Sequence, residues 1–297
     1  MKRTFILILS LLLAVALFAG CTAQEVESPS PSAPAKTDEA PAVETETGES
    51  EEPEELVTLK IGATAVPHAE ILEFAKPLLA QKGVDLEILI FDDYVLPNTA
   101  LFENEIDANF FQHLPYLENF NAQNKTDLIS AVAVHYEPLG IYPGKTASFE
   151  DLKDGAQIAV PNDTTNEARA LKLLEVAGLI KLKADAGFDA TVRDIAENPR
   201  KFKIVELDAA QIPRSLPDVE LAVINGNYAL QASLNAEDAL ATEAKDSDAT
   251  STFANIVAIR SGDESRPEIQ ALIEVLTGED VKAYINDTYS GSVLPIF

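Results

Sequence analysis

Strand-like and helix-like segments alternate from residue 57 to residue 297, and this alternation restricts the fold more than any other feature of the sequence. Short runs such as VTLKIGAT, VDLEILIFDD and AQIAVPND are rich in aliphatic residues and end in turn formers. Between them, HAEILEFAKPLLAQKG and EARALKLLEVAGLIKL space their apolar residues as one face of a helix does, with Gly83 and Gly178 near their ends. The pattern predicts an α/β fold with a mostly parallel sheet and helices on both faces. About 240 residues are enough for one large unit or for two lobes.

The N-terminal segment resembles the signal of an exported protein. Lys2 and Arg3 precede an apolar run, Phe5 to Ala19, which is shorter than a typical membrane span. Cys21 is the only cysteine in the sequence, and its place after an Ala-Gly pair resembles the lipid-attachment site of a bacterial lipoprotein. An uncleaved anchor helix and a signal peptide cut elsewhere are the alternatives. We expect residues 1–20 to be a signal peptide and the lipidated Cys21 to tether the protein to the extracytoplasmic face of the cell membrane.

Residues 21–56 have the composition of a disordered linker. They include eleven acidic residues, one lysine, repeated prolines and no aromatic residue, so they cannot bury enough apolar surface to offset the entropy lost on ordering. Proline and like-charge repulsion keep such a segment extended. We expect it to hold a folded domain away from the bilayer.

The charge of the chain excludes one class of partner. The formal net charge of −27 becomes −29 without Lys2 and Arg3, and the linker carries −10 of it, which leaves −19 for the folded part. A surface this acidic repels nucleic acid and anionic lipid headgroups. We therefore expect no nucleic acid among the partners of the protein.

Six segments of the chain, taken in order, resemble one family. They are IGATAVPHAEIL (61–72), EIDANFFQHLPYL (105–117), HYEPLGIY (135–142), IAVPNDTTNEARALKLLEVAGLIKLK (158–183), LAVINGNYAL (221–230) and FANIVAIR (253–260). They resemble the NlpA-type, methionine-binding lipoproteins of ABC importers, and the resemblance runs from residue 58 to the end. It implies a type II periplasmic-binding-protein fold, in which two lobes, each a mixed sheet flanked by helices, close on an amino acid. We expect the lobes to comprise residues 57–139 with 256–297, and residues 140–255.

The resemblance also implies the ligand and the partners. The expected ligand is free L-methionine or a close analogue, and the expected partners are a membrane permease and its ATPase; the protein itself is expected to be a monomer without a cofactor. Thr164 and Ala168 stand where the family usually has proline and glycine, so another amino acid or a small methionine-containing peptide stays an alternative ligand. An enzyme or a surface adhesin is the alternative class, although no nucleophile–base pair is recognisable in the sequence.

Arg169 is the candidate for binding the carboxylate of the ligand. It lies in the first turns of a helix that follows a strand, in VPNDTTNEAR, and arginine suits a carboxylate through two parallel hydrogen bonds. Taken alone, the residue is better explained as a surface arginine paired with a nearby acid such as Glu167; the resemblance instead implies a carboxylate-binding arginine at this position. Asn166, on the same loop, is a second candidate, with a helix cap as its alternative role.

Three further candidates follow or begin strands. Asn225 stands at the end of the strand in AVINGNYAL, and its side chain can contact both charged groups of a zwitterion; a left-handed turn residue is the alternative. Asn255 in FANIVAIR resembles the family's asparagine on a strand that crosses between the lobes. Tyr94 can supply a hydroxyl or a stacking surface, with a purely structural interface role as the alternative.

The segment IDANFFQHLPYL supplies the predicted aromatic wall of the site. We expect Phe110, His113 and Tyr116 to line the cleft and Phe111 to lie in the core. A thioether favours aromatic neighbours, since each sulfur–aromatic contact contributes up to about 1.5 kcal/mol. We expect His113 to be a hydrogen-bonding residue rather than a catalytic base.

The histidines do not predict a metal site. The three of them, His68, His113 and His135, are scattered along the sequence without the spacing of metal ligands. We expect His68 to pack at the start of a helix and His135 to lie on a buried strand that crosses between the lobes.

Overall fold

A computed structural model describes residues 56–245 and 248–297. These residues belong to one compact unit, Glu51–Phe297. The predicted signal peptide and the predicted linker with Cys21 lie outside the described residues, apart from Leu56. In the described ranges, no helix has both the length and the apolar character that crossing a membrane requires.

Strands and helices alternate as the sequence predicts. The strands are β1 (Val57–Ala63), β2 (Val84–Ile90), β3 (Ala108–His113), β4 (Ile129–Tyr136), β5 (Gly140–Pro143), β6 (Gln157–Pro161), β7 (Lys181–Leu182), β8 (Ile195–Glu197), β9 (Lys203–Leu207), β10 (Leu221–Ile224), β11 (Ala241–Thr242), β12 (Ala254–Ile259) and β13 (Leu294–Pro295). The α-helices are α1 (Glu70–Ala80), α2 (Leu96–Phe102), α3 (Leu114–Asn124), α4 (Thr164–Val176), α5 (Ile212–Ser215), α6 (Gly226–Gln231), α7 (Asp248–Thr252), α8 (Pro267–Leu276) and α9 (Glu279–Tyr289).

Two mixed sheets organise these elements. The larger sheet has the order β13-β4-β12-β3-β1-β2, and the smaller has the order β11-β5-β10-β6-β9. The prediction of a mostly parallel sheet is wrong, because six of the ten strand pairings among the described residues are antiparallel. The chain reverses direction at several places: β12 comes back from the smaller sheet and enters the larger one between β3 and β4, antiparallel to both, and β5 is antiparallel to both of its neighbours, β10 and β11.

The two connections between the sheets run side by side. The chain leaves the larger sheet at the end of β4 and enters the smaller one at β5, while β12 brings it back. Ala254 pairs with Tyr136 and Asn255 with His135, so the outgoing and returning chains meet next to Glu137. These connections place residues from both sheets around one point.

Each sheet has its own apolar core. The core of the larger sheet includes Leu59, Ile61 and Phe110 with helices α1, α8 and α9, and the core of the smaller sheet includes Ile158, Val223 and the inner face of α4. Burial on this scale, at about 25 cal/mol per Å² of apolar surface, is the main stabilising contribution to folding.

Candidate functional site

A cavity lies where the ends of several strands meet between the two sheets. The cavity is small: the centre of a water molecule can move within a volume of about 20 Å³. This space accommodates about one water molecule. It is lined by Tyr94, Phe111, Gln112, His113, Tyr116, Glu137, Asn166, Arg169, Asn225, Gly226, Asn227 and Asn255. Residues of both sheets therefore face the same cavity.

The structure brings most of the predicted site residues together on this wall. Those present are Tyr94, His113, Tyr116, Asn166, Arg169, Asn225 and Asn255. The sequence did not single out Gln112 and Glu137 as site residues and ranked Asn227 behind Asn225. Gln112 is the next-to-last residue of β3, Glu137 directly follows β4, and Asn227 lies in the first turn of α6, shortly after β10. Closeness to the end of a strand is the one local signal that could have pointed to them.

Phe110 is the exception, and its predicted place is wrong. It is 0% exposed in the core of the larger sheet, where its ring lies 4.7 Å from that of His68. Phe111 takes the place on the cavity wall. The reason is a β-bulge: Phe110 pairs with Val257 and Gln112 with Ile256, so Phe111 is the extra residue of β3. A bulge interrupts the alternation of side chains and re-aims the extra residue. Phe111 therefore reaches the cavity wall, while Phe110 packs against His68 and His135.

One side of the cavity is an interlocked group of aromatic rings. The ring of Tyr94 lies 5.8 Å from those of Phe111 and Tyr116, and 4.9 Å from that of Tyr228. The Tyr116 hydroxyl donates to the Tyr94 carbonyl (3.0 Å), and the Tyr94 hydroxyl donates to Asn227 Oδ1 (2.5 Å). Burial raises the pKa of both tyrosines, so they remain neutral, and the surface suits an apolar or thioether side chain.

Three buried amide side chains pack next to this wall and hydrogen-bond to one another. Gln112 Nε2 donates to Asn98 Oδ1 (2.7 Å) and to Asn109 Oδ1 (2.9 Å), Asn98 Nδ2 donates to Gln112 Oε1 (2.8 Å), and Asn109 Nδ2 donates to Asn98 Oδ1 (2.8 Å). We call Asn98, Asn109 and Gln112 the amide cluster. It ties α2, which follows the Tyr94 loop, to β3.

Arg169 provides the positive charge of the cavity. Its Nε donates to Glu243 Oε1 (2.7 Å), and its Nη2 donates to Glu243 Oε2 (2.5 Å) and to the Glu137 carbonyl (2.8 Å). The guanidinium carbon lies 4.6 Å from the centre of the Phe253 ring. Burial alone would lower the pKa of Arg169, but the Glu243 carboxylate holds that pKa above its ordinary value.

The alternative of a surface arginine paired with Glu167 is wrong. Arg169 is 6% exposed, and Glu167 instead accepts a hydrogen bond from the backbone of Val192 (2.9 Å). The arginine is therefore a fixed, buried cation that faces a cavity.

A chain of hydrogen bonds fixes the orientation of the asparagines. Asn166 Nδ2 donates to both oxygens of Asp163 (2.9 and 3.0 Å), which leaves Asn166 Oδ1 to accept from Asn225 Nδ2 (2.9 Å) and to face His113 Nε2 (3.2 Å). The Asp163 side chain also accepts from the backbone of Asn166 and is the cap of α4, so the predicted alternative of Asn166 as the cap is wrong.

Two side-chain atoms on the cavity wall are left unpaired by this arrangement. Asn225 Oδ1 and Asn227 Nδ2 are buried and have no hydrogen-bond partner among the described residues. One is an acceptor and the other a donor. Because a buried polar atom without a partner costs about 1–3 kcal/mol, both atoms favour a ligand that supplies the missing partners.

A second cluster of polar groups borders the cavity. His68, His135 and Glu137 are buried, and their ligand atoms lie within 4.8 Å of one another, although the sequence spacing did not predict that these histidines meet. Their residue types could hold a metal ion. In the structure they bond to each other instead: His135 Nε2 lies 2.7 Å from Glu137 Oε1, and His68 Nε2 lies 3.4 Å from the same oxygen.

The buried histidines make stability depend on pH. Burial lowers the pKa of His68 to about 4 and those of His113 and His135 to about 3, whereas an unfolded histidine has a pKa of about 6.5. As the pH falls from 7 to 5, the unfolded chain takes up protons that the folded chain does not, so the free energy of unfolding decreases. Glu137 and Asp163, whose pKa values burial raises, offset part of this loss at lower pH.

Urea unfolding at pH 7, 6 and 5 measures this effect. Each histidine contributes up to about 1.4 kcal/mol per pH unit. In the variant His113→Asn the free energy of unfolding is expected to depend less steeply on pH, because unfolding takes up about one proton fewer. A free energy of unfolding that stays constant over this range would contradict the prediction.

Comparisons with known proteins place the chain in a family. Residues 59–297 match the family described as NlpA lipoprotein. The methionine-binding lipoprotein MetQ of Bacillus subtilis is 43% identical over 242 residues, with 80% of this chain and 87% of that protein covered. The D-methionine-binding lipoprotein MetQ of Salmonella typhimurium is 39% identical over 240 residues, covering 80% and 87%.

Solved structures of similar proteins support the same family. A lipoprotein from Ruminococcus gnavus matches with a TM-score of 0.80 and 52% identity, over 81% of this chain and 99% of that one. A nutrient-binding protein from Burkholderia cenocepacia, solved bound to methionine, matches with a TM-score of 0.77 and 43% identity, over 80% and 100%. The resemblance and the predicted α/β fold of the periplasmic-binding-protein type, with mixed sheets flanked by helices, are confirmed. The chain belongs to the NlpA lipoprotein family.

Proposed function

We propose that this protein is the extracytoplasmic substrate-binding lipoprotein of an ABC importer, and that it binds free L-methionine or a close analogue. The observation that carries the proposal is the cavity itself, which combines the buried cation Arg169, the unpaired acceptor Asn225 Oδ1 and an aromatic wall. The names of the relatives, which describe methionine-binding lipoproteins, support the same ligand. Those relatives are named as binding proteins, and we infer the same for this chain rather than an enzymatic role.

Each part of methionine has a partner of matching chemistry. The carboxylate bonds to Arg169 and to the unpaired Nδ2 of Asn227, because both are donors on the cavity wall. The ammonium bonds to Asn225 Oδ1. The thioether packs among Tyr94, Phe111 and the neighbouring rings of His113 and Tyr116. Asn166 orients Asn225.

Asn255 joins this site from the returning strand. Its Oδ1 faces His68 Nε2 at 3.0 Å, so His68 holds the amide in place on the cavity wall. Its Nδ2 then serves the ligand as a further donor.

Closure is part of the proposed mechanism. The cavity lies between the two sheets and is lined by residues of both, so the ligand enters an open form and the two lobes, 57–139 with 256–297 and 140–255, close around it. A ligand that contacts both lobes favours the closed form by its differential affinity. The closed monomer then delivers the ligand to a permease coupled to an ATPase.

The location of the protein completes the proposal. Residues 1–20 act as the signal peptide, Cys21 carries the lipid, and residues 21–56 form the leash that keeps the receptor at the cell membrane. The acidic, proline-containing composition of residues 21–56 supports this role, since such a composition is typical of a linker.

Calorimetry tests the proposed ligand. Protein that has been unfolded, stripped of ligand and refolded is expected to bind L-methionine with a dissociation constant in the micromolar range or below, which corresponds to about −8 kcal/mol or more. Alanine and glutamate serve as controls that lack the thioether. Absence of binding by methionine and its close relatives would reject the proposal.

A further inference from the structure

A second and larger cavity lies on the other side of Arg169. The centre of a water molecule can move within a volume of about 670 Å³ in this cavity, compared with about 20 Å³ in the cavity between the sheets. Sites that bind small molecules usually measure about 300–1,000 Å³. The described residues that line the second cavity all lie between Ala168 and Phe253, so the larger sheet takes no part in it.

The lining of the second cavity is mainly apolar. Helix α4 contributes Leu173 and Val176, the loop after β7 contributes Ala186 and Phe188, and α7 contributes Ala249. Val176 is 74% exposed and Phe188 is 60% exposed, so the described part of the chain leaves two large apolar side chains uncovered beside the cavity. Apolar surface in a concave place favours a ligand that removes it from water.

The charged groups of the second cavity do not call for an ionic ligand. Arg169 and Glu243 line it and form an ion pair with each other. Lys172 Nζ donates to Glu175 Oε2 (2.6 Å) with a side chain that is 67% exposed, and Asp248 is exposed as well, so these charges remain in water. A charged group that entered the cavity would lose its hydration and compete with an existing ion pair, which costs free energy. The lining therefore suits an uncharged molecule.

The two cavities share one wall. Arg169 lines both of them, and the ring of Phe253 lies between the contents of the two. The centre of this ring is 4.6 Å from the guanidinium carbon of Arg169, 5.1 Å from the ring of His113 in the first cavity and 5.6 Å from the ring of Phe188 in the second. Because this wall is closed by packed side chains, both cavities can be filled at the same time.

We propose that the second cavity is a binding site for an uncharged aromatic molecule, separate from the methionine site. The volume and the apolar lining set the size and polarity of the ligand, and the rings of Phe188 and Phe253 offer edge and face contacts to an aromatic ring. Because α4, the loop after β7 and α7 surround the cavity, it fits a small molecule better than a flat protein surface. The inference goes beyond the proposed function and does not depend on it.

Two fluorescent probes test the class of ligand. N-Phenyl-1-naphthylamine is uncharged, and 8-anilinonaphthalene-1-sulfonate has the same rings with one sulfonate; both fluoresce more strongly in apolar surroundings. Residues 51–297, which form one compact unit with its own apolar cores, are used so that a lipid on Cys21 cannot take up the probes. The uncharged probe is expected to bind at least about tenfold more tightly, because its burial leaves no charge without water or a partner. No binding of the uncharged probe, or equal or tighter binding of the sulfonate, would overturn the proposal.

Variants that fill the cavity test its location. Ala186→Trp and Ala249→Trp each place a large ring in the lining and are each expected to weaken binding of the uncharged probe at least about tenfold. Ala184→Trp is the matched control, because Ala184 is exposed in the same loop as Ala186 and does not line the cavity; wild-type affinity is expected. Wild-type affinity in both filled variants would overturn the proposal. If neither folds, as judged by circular dichroism, Phe188→Ala decides: its ring is largely exposed, and an unchanged affinity in this variant would overturn the proposal.

Competition with methionine tests whether the two sites are separate. Excess L-methionine is expected to leave the fluorescence of bound N-phenyl-1-naphthylamine unchanged, and Ala186→Trp is expected to keep the wild-type affinity for methionine in calorimetry. Displacement of the probe by methionine would place it in the first cavity and overturn the proposal. Protein that binds the probe at the second cavity but binds no methionine would support this inference and reject the proposed function alone.

Discussion

Replacing Arg169 with alanine is expected to weaken methionine binding by about 2–5 kcal/mol, the cost of removing one member of a buried, hydrogen-bonded charge pair. The ligand carboxylate would lose its cation in a site from which water is largely excluded. Glu243 would also lose its cation and keep only the hydrogen bonds from the Tyr136 hydroxyl (2.8 Å) and the Leu139 backbone N–H (2.8 Å). Breaking a buried ion pair by removing one member costs about 3–5 kcal/mol of stability. Calorimetry measures the affinity, and urea unfolding measures the stability.

A double variant separates the two effects. Arg169→Met with Glu243→Leu removes both charges, so it is expected to recover much of the stability, as apolar replacement of a buried pair often does. Its affinity for methionine is expected to stay low. Arg200→Ala is a control, since Arg200 is partly exposed and bonds to the carbonyls of Phe149 and Leu152 away from the cavity. Unchanged methionine affinity in Arg169→Ala would place the ligand carboxylate elsewhere.

Phe110→Ala is expected to lower the free energy of unfolding by about 3–5 kcal/mol, because it removes a large ring from a closely packed core. Its effect on methionine binding is expected to be small. Phe111→Ala is the matched variant at the next position of the same strand: it is expected to weaken methionine binding about tenfold, the equivalent of one good sulfur–aromatic contact. Chemical unfolding and calorimetry on both variants test this assignment. Strong loss of binding in Phe110→Ala with normal binding in Phe111→Ala would restore the arrangement expected from the sequence.

The sequence predicted the site residues where local rules apply. Asn225 and Tyr94 were found because each follows a strand, and the ends of strands meet at one edge of an α/β sheet. Phe110 was misplaced because β3 has a bulge at Phe111, and Phe111 is the residue that faces the cavity. The bulge depends on how β12 pairs with β3, so the order of residues along the sequence does not reveal it.

Long-range contacts could not be predicted in the same way. Arg169 and Glu243 are 74 residues apart, and His68, just before α1, meets Glu137, just after β4. No spacing in one sequence reveals such a contact, because it depends on how distant segments of the chain pack together. The return of β12 between β3 and β4 is equally non-local, and it accounts for two of the six antiparallel pairings.

The amide cluster limits how this protein can evolve. Asn98, Asn109 and Gln112 satisfy each other's hydrogen bonds in a fully buried place, so a mutation at any one of them leaves the other two with unmatched groups. A lineage can exchange the cluster for apolar packing only by passing through less stable intermediates or by changing several codons together. Selection for a stable folded protein therefore acts on the three positions together and not on each one separately.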